Sequence, residues 1–294
     1  MKSNENNSGL NKTVINWYPG HMAKTKRLIK ENINLIDMVY EVVDARMPYS
    51  SKIIDIDEYI KNKPRILIFS KVDLCDEKET NKWVSYYEKK GYNVIKMNLE
   101  KADTKPLIDL TKKVMEQMNK KREKKGMLER KIRVLVLGIP NVGKSTLINR
   151  LASKKVVNIG NKPGVTKSLS WIRVNDDIEL LDSPGILWPK LEEKNAFNLA
   201  TFTAIREEIL PLFEVVSYIL KTLWKYYPEK LKERYNIEYL DEDILSDLEI
   251  IGKQRGCLIK GGEIDYDKVM SLIMSDIKNG FIKGITFDRF EDYE

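Results

Sequence analysis

Residues 132–146 read IRVLVLGIPNVGKST, and this stretch decides the fold of the chain. The β-branched run at 132–138 predicts a buried strand, and the apolar residues that follow Lys144 predict a helix. Between them, the segment from Gly138 to Ser145 matches the phosphate-loop pattern Gly-x-x-x-x-Gly-Lys-Ser. The alternative is a glycine turn in front of an ordinary helix, but the strand before it and the helix after it favour the phosphate loop. The stretch therefore predicts a nucleotide-binding α/β fold.

This loop assigns chemistry to several of its residues. Its backbone N–H groups would face phosphate oxygens at a helix N-terminus, where the helix dipole favours negative charge. Lys144 is predicted to reach the β- and γ-phosphates and is a candidate catalytic residue, whereas Ser145 is predicted to hold Mg²⁺. The candidate nucleotide-binding residues of the loop are Asn141, Val142, Gly143, Lys144, Ser145 and Thr146.

Two shorter motifs lie downstream of the phosphate loop. Asp182-Ser-Pro-Gly185 ends an apolar run and matches the Asp-x-x-Gly pattern of a switch II segment. Asp182 is predicted to support Mg²⁺, and the Gly185 N–H to sense the γ-phosphate. KPGVTK at 162–167 offers Thr166 as the switch I residue that closes on Mg²⁺. Without a phosphate loop, these would be an ordinary strand-to-turn sequence and a loop threonine.

Upstream, the run RILIFS at 65–70 leads into Ser70-Lys71-Val72-Asp73, which resembles the guanine-recognition pattern Asn-Lys-x-Asp. The Asp73 carboxylate can accept hydrogen bonds from the guanine N1–H and 2-amino group. Adenine offers neither donor and would leave the carboxylate unpaired. Lys71 would lay its methylene stem along the base. Ser70 replaces the usual Asn and loses an amide partner, and the alternative is a Lys-Val-Asp surface turn.

The order of these motifs reverses the usual one, because the guanine-recognition motif precedes the phosphate loop. Predicted strands alternate with helices up to Gly185, which favours an α/β fold with a parallel sheet. Ligands of such folds bind at the carboxyl ends of the strands, where each motif lies, so all can share one crevice. Moving the chain termini between surface loops leaves a sheet intact. The predicted strands are 38–48 with a turn at Pro48, 65–70, 93–98, 132–138, 169–174 and 178–185. Besides the helix after the phosphate loop, the predicted helices of this part are a helical pattern at 28–36 and the segments 81–91 and 104–125.

After Gly185 the pattern becomes helical. Apolar residues recur at helical spacing over 211–224, and acidic first turns open two further helical patterns at 241–255 and 265–279. We therefore predict an all-α C-terminal domain. The predicted divisions are a disordered lead-in at 1–14, an α/β domain at 15–188 and a helical domain at 189–294.

Composition sets outer limits on function. The 294 residues, 42% of them hydrophobic, suffice for two domains with cores, and the net charge of +7 is compatible with a nucleic-acid partner without proving one. Cys75 and Cys257 lie far apart without metal-ligand spacing, which predicts a reducing, cytoplasmic compartment and no disulfide framework. Apolar runs stay well short of the roughly 18 residues of a membrane span, so no membrane partner is expected.

Together, the motifs WYPGHM, VDARMP, SKVD, GIPNVGKSTLIN, PGVT and DSPGILWP are similar to those of the circularly permuted GTPase family. The resemblance runs over nearly the whole chain, including YPEKLKERY and GKQRGCLIKGG in the helical part. It implies a P-loop GTPase-type sheet with permuted motif order, followed by an all-α domain. It also implies GTP, GDP and Mg²⁺ as ligands, GTP hydrolysis, and a precursor of the large ribosomal subunit with its rRNA as partner. We expect the chain to act as a monomer.

Two residues are candidates for the hydrolysis step itself. Many GTPases place a Gln directly after Asp-x-x-Gly to orient water, but Ile186 stands there. His21, the single histidine, lies in a Pro-Gly-His-Met turn and could position or deprotonate a water near neutral pH; the alternative is a capping or surface histidine. Asn141 resembles the Asn that lets some GTPases hold K⁺ beside the phosphates, the alternative being a loop-stabilising role.

Basic clusters supply candidate RNA contacts, although a charge run is more often a solvated helix face. We predict a GTP-hydrolysing factor of late large-subunit maturation that binds its particle in the GTP state and leaves after hydrolysis. The alternatives are a GTP-gated RNA-binding scaffold with negligible catalysis, and a P-loop ATPase or kinase, against which SKVD argues. The candidate RNA contacts are Lys120, Lys121, Arg122, Lys124 and Lys125; Lys230, Lys232 and Arg234, interleaved with Tyr226, Tyr227 and Tyr235; and Lys253 with Arg255.

Overall fold

A computed structural model describes residues 20–126, 130–154, 156–157, 170–185, 193–202, 205 and 210–293. The predicted lead-in at 1–14, Thr166 and the predicted domain boundary at 188/189 lie outside these ranges. Within them, no helix combines the length and apolar character needed to cross a membrane.

A six-stranded sheet forms the centre of the α/β part, in the order β3-β2-β1-β4-β6-β5. The first four strands and β6 run parallel to one another, which confirms the predicted α/β fold with a parallel sheet. The strands are β1 (Met38–Asp44), β2 (Arg65–Ser70), β3 (Asn93–Lys96), β4 (Ile132–Leu137), β5 (Ser170–Arg173) and β6 (Ile178–Asp182).

The edge strand β5 is the exception, because it pairs antiparallel with β6. Only residues 174–177 separate the two strands, and a connection this short can make a hairpin but not a parallel crossover. Asn175 closes the turn by accepting hydrogen bonds from the N–H groups of Asp177 and Ile178, both at 2.8 Å. The sheet is therefore parallel except at this edge, where the predicted strand 169–174 pairs antiparallel.

Helices cover the sheet and form the C-terminal part. The predicted helix at 81–91 begins earlier, at Glu77, because the Asp76 carboxylate caps it by accepting from the Glu79 N–H. The helices are α1 (Gly20–Asn32), α2 (Asp57–Ile60), α3 (Glu77–Lys89), α4 (Lys105–Lys124), α5 (Lys144–Leu151), α6 (Glu193–Thr201), α7 (Leu212–Tyr226), α8 (Pro228–Tyr235), α9 (Ile244–Arg255) and α10 (Tyr266–Lys278). Of these, α2, α6 and α8 were not predicted.

The sequence pattern did not indicate where residues 280–293 lie. The C-terminal segment, residues 280–293, leaves the helical part and packs against the α/β part. The Trp83 indole of α3 donates to the Asp288 carbonyl at 2.8 Å, and Phe290 and Tyr293 pack edge-on against the Trp83 ring. A single hydrophobic cluster also runs from the sheet into α7, α9 and α10. The two parts therefore share a core.

The buried Asp288 carboxylate anchors this segment. One of its oxygens accepts from the backbone N–H groups of Tyr49 and Ser50, each at 2.7 Å. The other accepts from the Ser50 hydroxyl at 2.6 Å and the Asn198 amide at 2.8 Å. Residues after β1, on α6 and in the C-terminal segment are thus tied to one carboxylate.

We expect Asp288→Asn to lower the free energy of unfolding by about 2–4 kcal/mol, because an amide nitrogen would face buried donors. Urea unfolding followed by circular dichroism measures the change. Asp292→Asn is the matched control on the same segment: its ion pair with Lys194 is half-exposed, so its loss should cost under about 1 kcal/mol. Equal losses for the two variants would show that Asp288 does not anchor the segment.

Candidate nucleotide-binding site

The sheet brings the predicted motifs to one edge. The Ser70–Asp73 motif follows β2, the phosphate loop follows β4, and the Asp182–Gly185 motif follows β6. Strand β1 lies between β2 and β4, and β6 lies on the far side of β4. Since these strands are parallel, the loops meet at their carboxyl ends, where α/β folds bind ligands.

The phosphate loop connects β4 directly to α5. Gly143 caps the helix with φ of 99°, a left-handed conformation that favours glycine. Any Cβ there would lie 2.9 Å from the Leu99 side chain, which comes from the segment after β3. Asn141 also has a positive φ, 65°, and Val142 is fully buried. Ser145 and Thr146, in the first turn of α5, are half-buried.

Lys144 lies under this loop with 7% of its surface exposed. Its ammonium group donates to the carbonyl oxygens of Gly138 at 3.1 Å and Ile139 at 2.8 Å. Burial lowers the pKa of Lys144 to about 8, although the nearby Asp182 carboxylate opposes the shift. The cation is therefore held beside the loop in an environment that favours a further negative charge.

The Asp182–Gly185 motif packs directly on the phosphate loop. Asp182 is 1% exposed and pairs with Val136 in the β4–β6 register. The Ser183 hydroxyl donates to the Val136 carbonyl at 2.6 Å. A Cβ on Gly185 would lie only 2.7 Å from the Pro140 nitrogen, so only glycine allows this approach. The Gly185 backbone is thereby placed against the loop.

Ser70 joins the guanine-type motif to the phosphate loop. Its buried hydroxyl lies 2.9 Å from the Val43 carbonyl of β1 and 2.6 Å from the Val142 carbonyl of the loop. A serine in this position can therefore bridge the two loops with one hydroxyl. Val72 is half-buried, and Asp73 is exposed at the same edge of the sheet.

Sequence reasoning missed two residues beside this motif, Asp44 and Arg46. The Lys71 ammonium lies 2.9 Å from the fully buried Asp44 carboxylate. Arg46 binds the same carboxylate through its side chain, at 2.9 and 3.0 Å. Burial alone would raise the pKa of Asp44, but the two cations outweigh it and hold that pKa below its usual range. The motif VDARMP contains Asp44 and Arg46 at the carboxyl end of a predicted strand, and this charged pair could have indicated them.

The phosphate loop and the Asp182–Gly185 motif offer oxygen donors that are suitable for Mg²⁺. The described residues contain no cluster of three or more His, Cys, Asp or Glu side chains that could hold a metal ion. Mg²⁺ beside a nucleotide needs few protein ligands, since phosphates and waters supply the rest. The Ser145 hydroxyl and the Asp182 carboxylate fit that requirement, whereas the predicted third ligand, Thr166, lies outside the described residues.

Several of the candidate RNA contacts are buried or already paired within the protein. Tyr227 and Tyr235 are 6% and 0% exposed, and Tyr235 donates to Asp276 at 2.9 Å, so neither ring can stack on a base. Arg234 pairs with the same Asp276 carboxylate. The expected base stacking by Tyr227 and Tyr235 was wrong, because both side chains are packed in the core. Arg122 of α4 is likewise engaged, by Asp37.

We expect nucleotide binding to raise the pKa of Lys144 from about 8, because phosphate oxygens favour the ammonium form. About half a proton per site should then be taken up on binding GDP at pH 8, and only about a tenth at pH 7. Isothermal titration calorimetry in buffers of different ionisation enthalpy measures this uptake. Proton uptake that does not fall between pH 8 and pH 7 would contradict the assignment.

Known proteins are similar to this sequence over most of its length. A family model described as 50S ribosome-binding GTPase matches residues 133–249. Ribosome biogenesis GTPase A of Bacillus cereus is 45% identical over 282 residues, covering 95% of each chain. That of Priestia megaterium is 46% identical over 94% of this chain and 96% of its own, and that of Thermotoga maritima 31% over 95% of each.

Solved structures extend the likeness to three dimensions. The GDP-bound structure of TM YlqF matches with a TM-score of 0.65 at 27% identity, over 90% of this chain and all of that one. GNP-bound YlqF from T. maritima matches with a TM-score of 0.62, over 90% and 98% of the two chains. The permuted motif order, the shared sheet edge and relatives of such identity over nearly the whole length lead to one conclusion: the chain belongs to the ribosome biogenesis GTPase A family of circularly permuted GTPases.

Proposed function

We propose that this protein hydrolyses GTP to GDP and phosphate as an assembly factor in late maturation of the large (50S) ribosomal subunit. It binds the precursor particle and its rRNA in the GTP state and is released on hydrolysis. The observation that carries the proposal is the Ser70 hydroxyl, which joins the loop after β2 to the phosphate loop after β4. The names of the relatives support the ribosomal setting.

The base is recognised by the loop after β2. Asp73 is exposed at the carboxyl edge of the sheet, so its carboxylate can accept from the guanine N1–H and 2-amino groups. Lys71 offers its methylene stem to the face of the base. Adenine, which lacks both donors, would leave the carboxylate desolvated without partners, which is the physical basis of discrimination.

The phosphates are held by the loop after β4. Lys144 and the N–H groups at the start of α5 supply positive charge, and the Gly185 N–H lies beside the same loop. Ser145, Asp182 and Thr166 would hold Mg²⁺, which when bound neutralises charge on the phosphate oxygens. Asn141 is the candidate ligand for a K⁺ ion at this loop.

Water activation requires a residue other than the usual glutamine, since Ile186 follows Gly185. We assign the step to His21, in the first turn of α1, through its position in the Pro-Gly-His-Met motif. An imidazole exchanges a proton near neutral pH and can therefore accept one from an attacking water.

We assign RNA binding to the helical domain, proposed as residues 189–294, together with helix α4 of the GTPase domain, proposed as residues 15–188. Exposed cations of α4 and α9 supply phosphate contacts without the α8 tyrosines. We propose a cytoplasmic monomer that meets its partner only on the particle. The proposed phosphate contacts are Lys121, Lys124, Lys125, Lys253 and Arg255.

The competing function is a GTP-gated RNA-binding scaffold with negligible catalysis, which the missing glutamine would suit. Phosphate release with and without large-subunit precursor particles separates the two. The proposed function predicts that the particles stimulate release. A phosphate-release rate equal to that of uncatalysed GTP hydrolysis, both with and without particles, would favour the scaffold.

His21→Ala should leave GTP affinity nearly unchanged, because the imidazole acts on water and not on the bound nucleotide. Particle-stimulated phosphate release should fall by about 10²–10⁴-fold, the usual range for a positioned acid–base group. Lys24→Ala is the matched control, since Lys24 is exposed on the same helix. If stimulated rates are equal in the His21 variant and the control, His21 has no catalytic role.

A further inference from the structure

The lysine of the guanine-type motif is fixed by a residue outside the motif. Lys71 has a positive φ of 54°, and its ammonium group lies 2.9 Å from the Asp44 carboxylate. Asp44 is fully buried, whereas the Lys71 side chain is 27% exposed. A long flexible side chain gains a defined direction when its charged end is held by a rigid buried partner. Asp44 therefore sets where the stem of Lys71 runs, without needing to touch a nucleotide itself.

Asp44 is in turn fixed by Arg46. The Arg46 backbone N–H and Nε both donate to one Asp44 oxygen at 3.0 Å, and Nη2 donates to the other at 2.9 Å. The remaining nitrogen, Nη1, donates to the Ile277 carbonyl of α10 at 3.0 Å. The guanidinium also lies 4.3 Å from the centre of the Phe202 ring. The support of Lys71 thus extends into the helical part of the chain.

The other end of the motif is held by the C-terminal segment. The backbone N–H groups of Gly284 and Ile285 donate to the Leu74 carbonyl at 2.8 and 3.2 Å. The Asp76 N–H donates to the Thr286 hydroxyl at 3.1 Å. Tyr227, at the junction of α7 and α8, donates to the Asp76 carboxylate at 3.0 Å.

These contacts hold the residues on both sides of Asp73 in the chain. On one side Lys71 is held by Asp44, and on the other Leu74 and Asp76 are held by the C-terminal segment and Tyr227. We propose that Asp44 and Tyr227 are positioning residues for guanine recognition, so that docking of the helical part and affinity for guanine nucleotides are coupled. This inference rests on the proposed role of Ser70–Asp73 as the base-contacting loop.

The coupling is reciprocal by thermodynamic necessity. Nucleotide bound at the loop favours the docked C-terminal segment, and whatever pulls that segment from Leu74 and Asp76 lowers nucleotide affinity by the same factor. A particle that pulls on the helical part would therefore change nucleotide affinity through this route.

Asp44→Asn tests the first half of the proposal. Its matched control is Asp37→Asn: Asp37 is also buried, lies at the opposite end of β1, and pairs with two arginines, Arg122 and Arg130. We expect Asp44→Asn to weaken GDP binding about 10-fold, measured by fluorescent-GDP titration. Asp37→Asn should change it less than about twofold. In a Lys71→Ala background, Asp44→Asn should add nothing further, because it acts through Lys71.

Tyr227→Phe tests the second half, with Tyr235→Phe as control. Both tyrosines flank α8, both are buried, and each donates to an aspartate, but only Tyr227 reaches the loop after β2. We expect Tyr227→Phe to speed GDP dissociation about 3–10-fold, and Tyr235→Phe to leave it within about twofold.

Competition between GDP and ADP for the wild-type protein distinguishes failure of the base-contacting role of the loop from failure of the positioning roles of Asp44 and Tyr227. A wild type that binds both equally overturns the base-contacting role of the loop, and the inference with it. A wild type that prefers GDP, with Asp44→Asn and Tyr227→Phe no weaker than their controls, overturns the inference alone. An effect of Asp44→Asn that persists in full without Lys71 assigns Asp44 a purely structural role and likewise overturns it.

Discussion

The carboxylate of Asp44 lies at the carboxyl end of β1, where it pairs with both Lys71 and Arg46. A buried charge is costly unless it is paired and fully hydrogen-bonded, and this one accepts from Arg46 and Lys71 together. Lys71 belongs to the loop after β2, and Arg46 reaches the helical part at Ile277. Satisfying this one carboxylate therefore fixes the loop and the domain contact at the same time.

The permuted motif order is compatible with the fold, because the position of each strand in the sheet does not depend on its place in the chain. β1 and β2 come before β4 in the chain, yet β1 lies against β4 and β2 lies against β1. The Ser70 hydroxyl then spans from Val43 to the Val142 carbonyl of the phosphate loop. The permutation also sends the chain from β6 into the helices, and the chain's last residues return to the loop after β2. The helical part thus meets the site through side chains and backbone that the chain order does not place nearby.

Local sequence patterns predicted much of this. Periodicity located all six strands, and the carboxyl-end rule placed the three motifs on one edge of the sheet. The roles of the individual site residues stay predictions, including that of His21. What the sequence could not provide depends on tertiary contact: the Asp44–Lys71 pair joins the end of β1 to the loop after β2. The tyrosines of YPEKLKERY were misinterpreted for the same reason. Lysines and arginines lie near them in the chain, but the Tyr227 and Tyr235 side chains are buried by tertiary contacts. The short β5–β6 connection, by contrast, was visible and could have predicted an antiparallel edge.

In the proposed site, the loop after β2 reads the base of a nucleotide whose phosphates lie on the loop after β4. Xanthine tests it most directly, because it carries an oxygen where guanine carries the 2-amino group. Asp73→Asn replaces a carboxylate acceptor by an amide that can donate to that oxygen. Competition binding of GDP against xanthosine diphosphate should show wild type preferring GDP and Asp73→Asn preferring the xanthine nucleotide, with GDP affinity lowered by about 2–3 kcal/mol. An Asp73→Asn variant that keeps the wild-type preference for GDP would contradict the account.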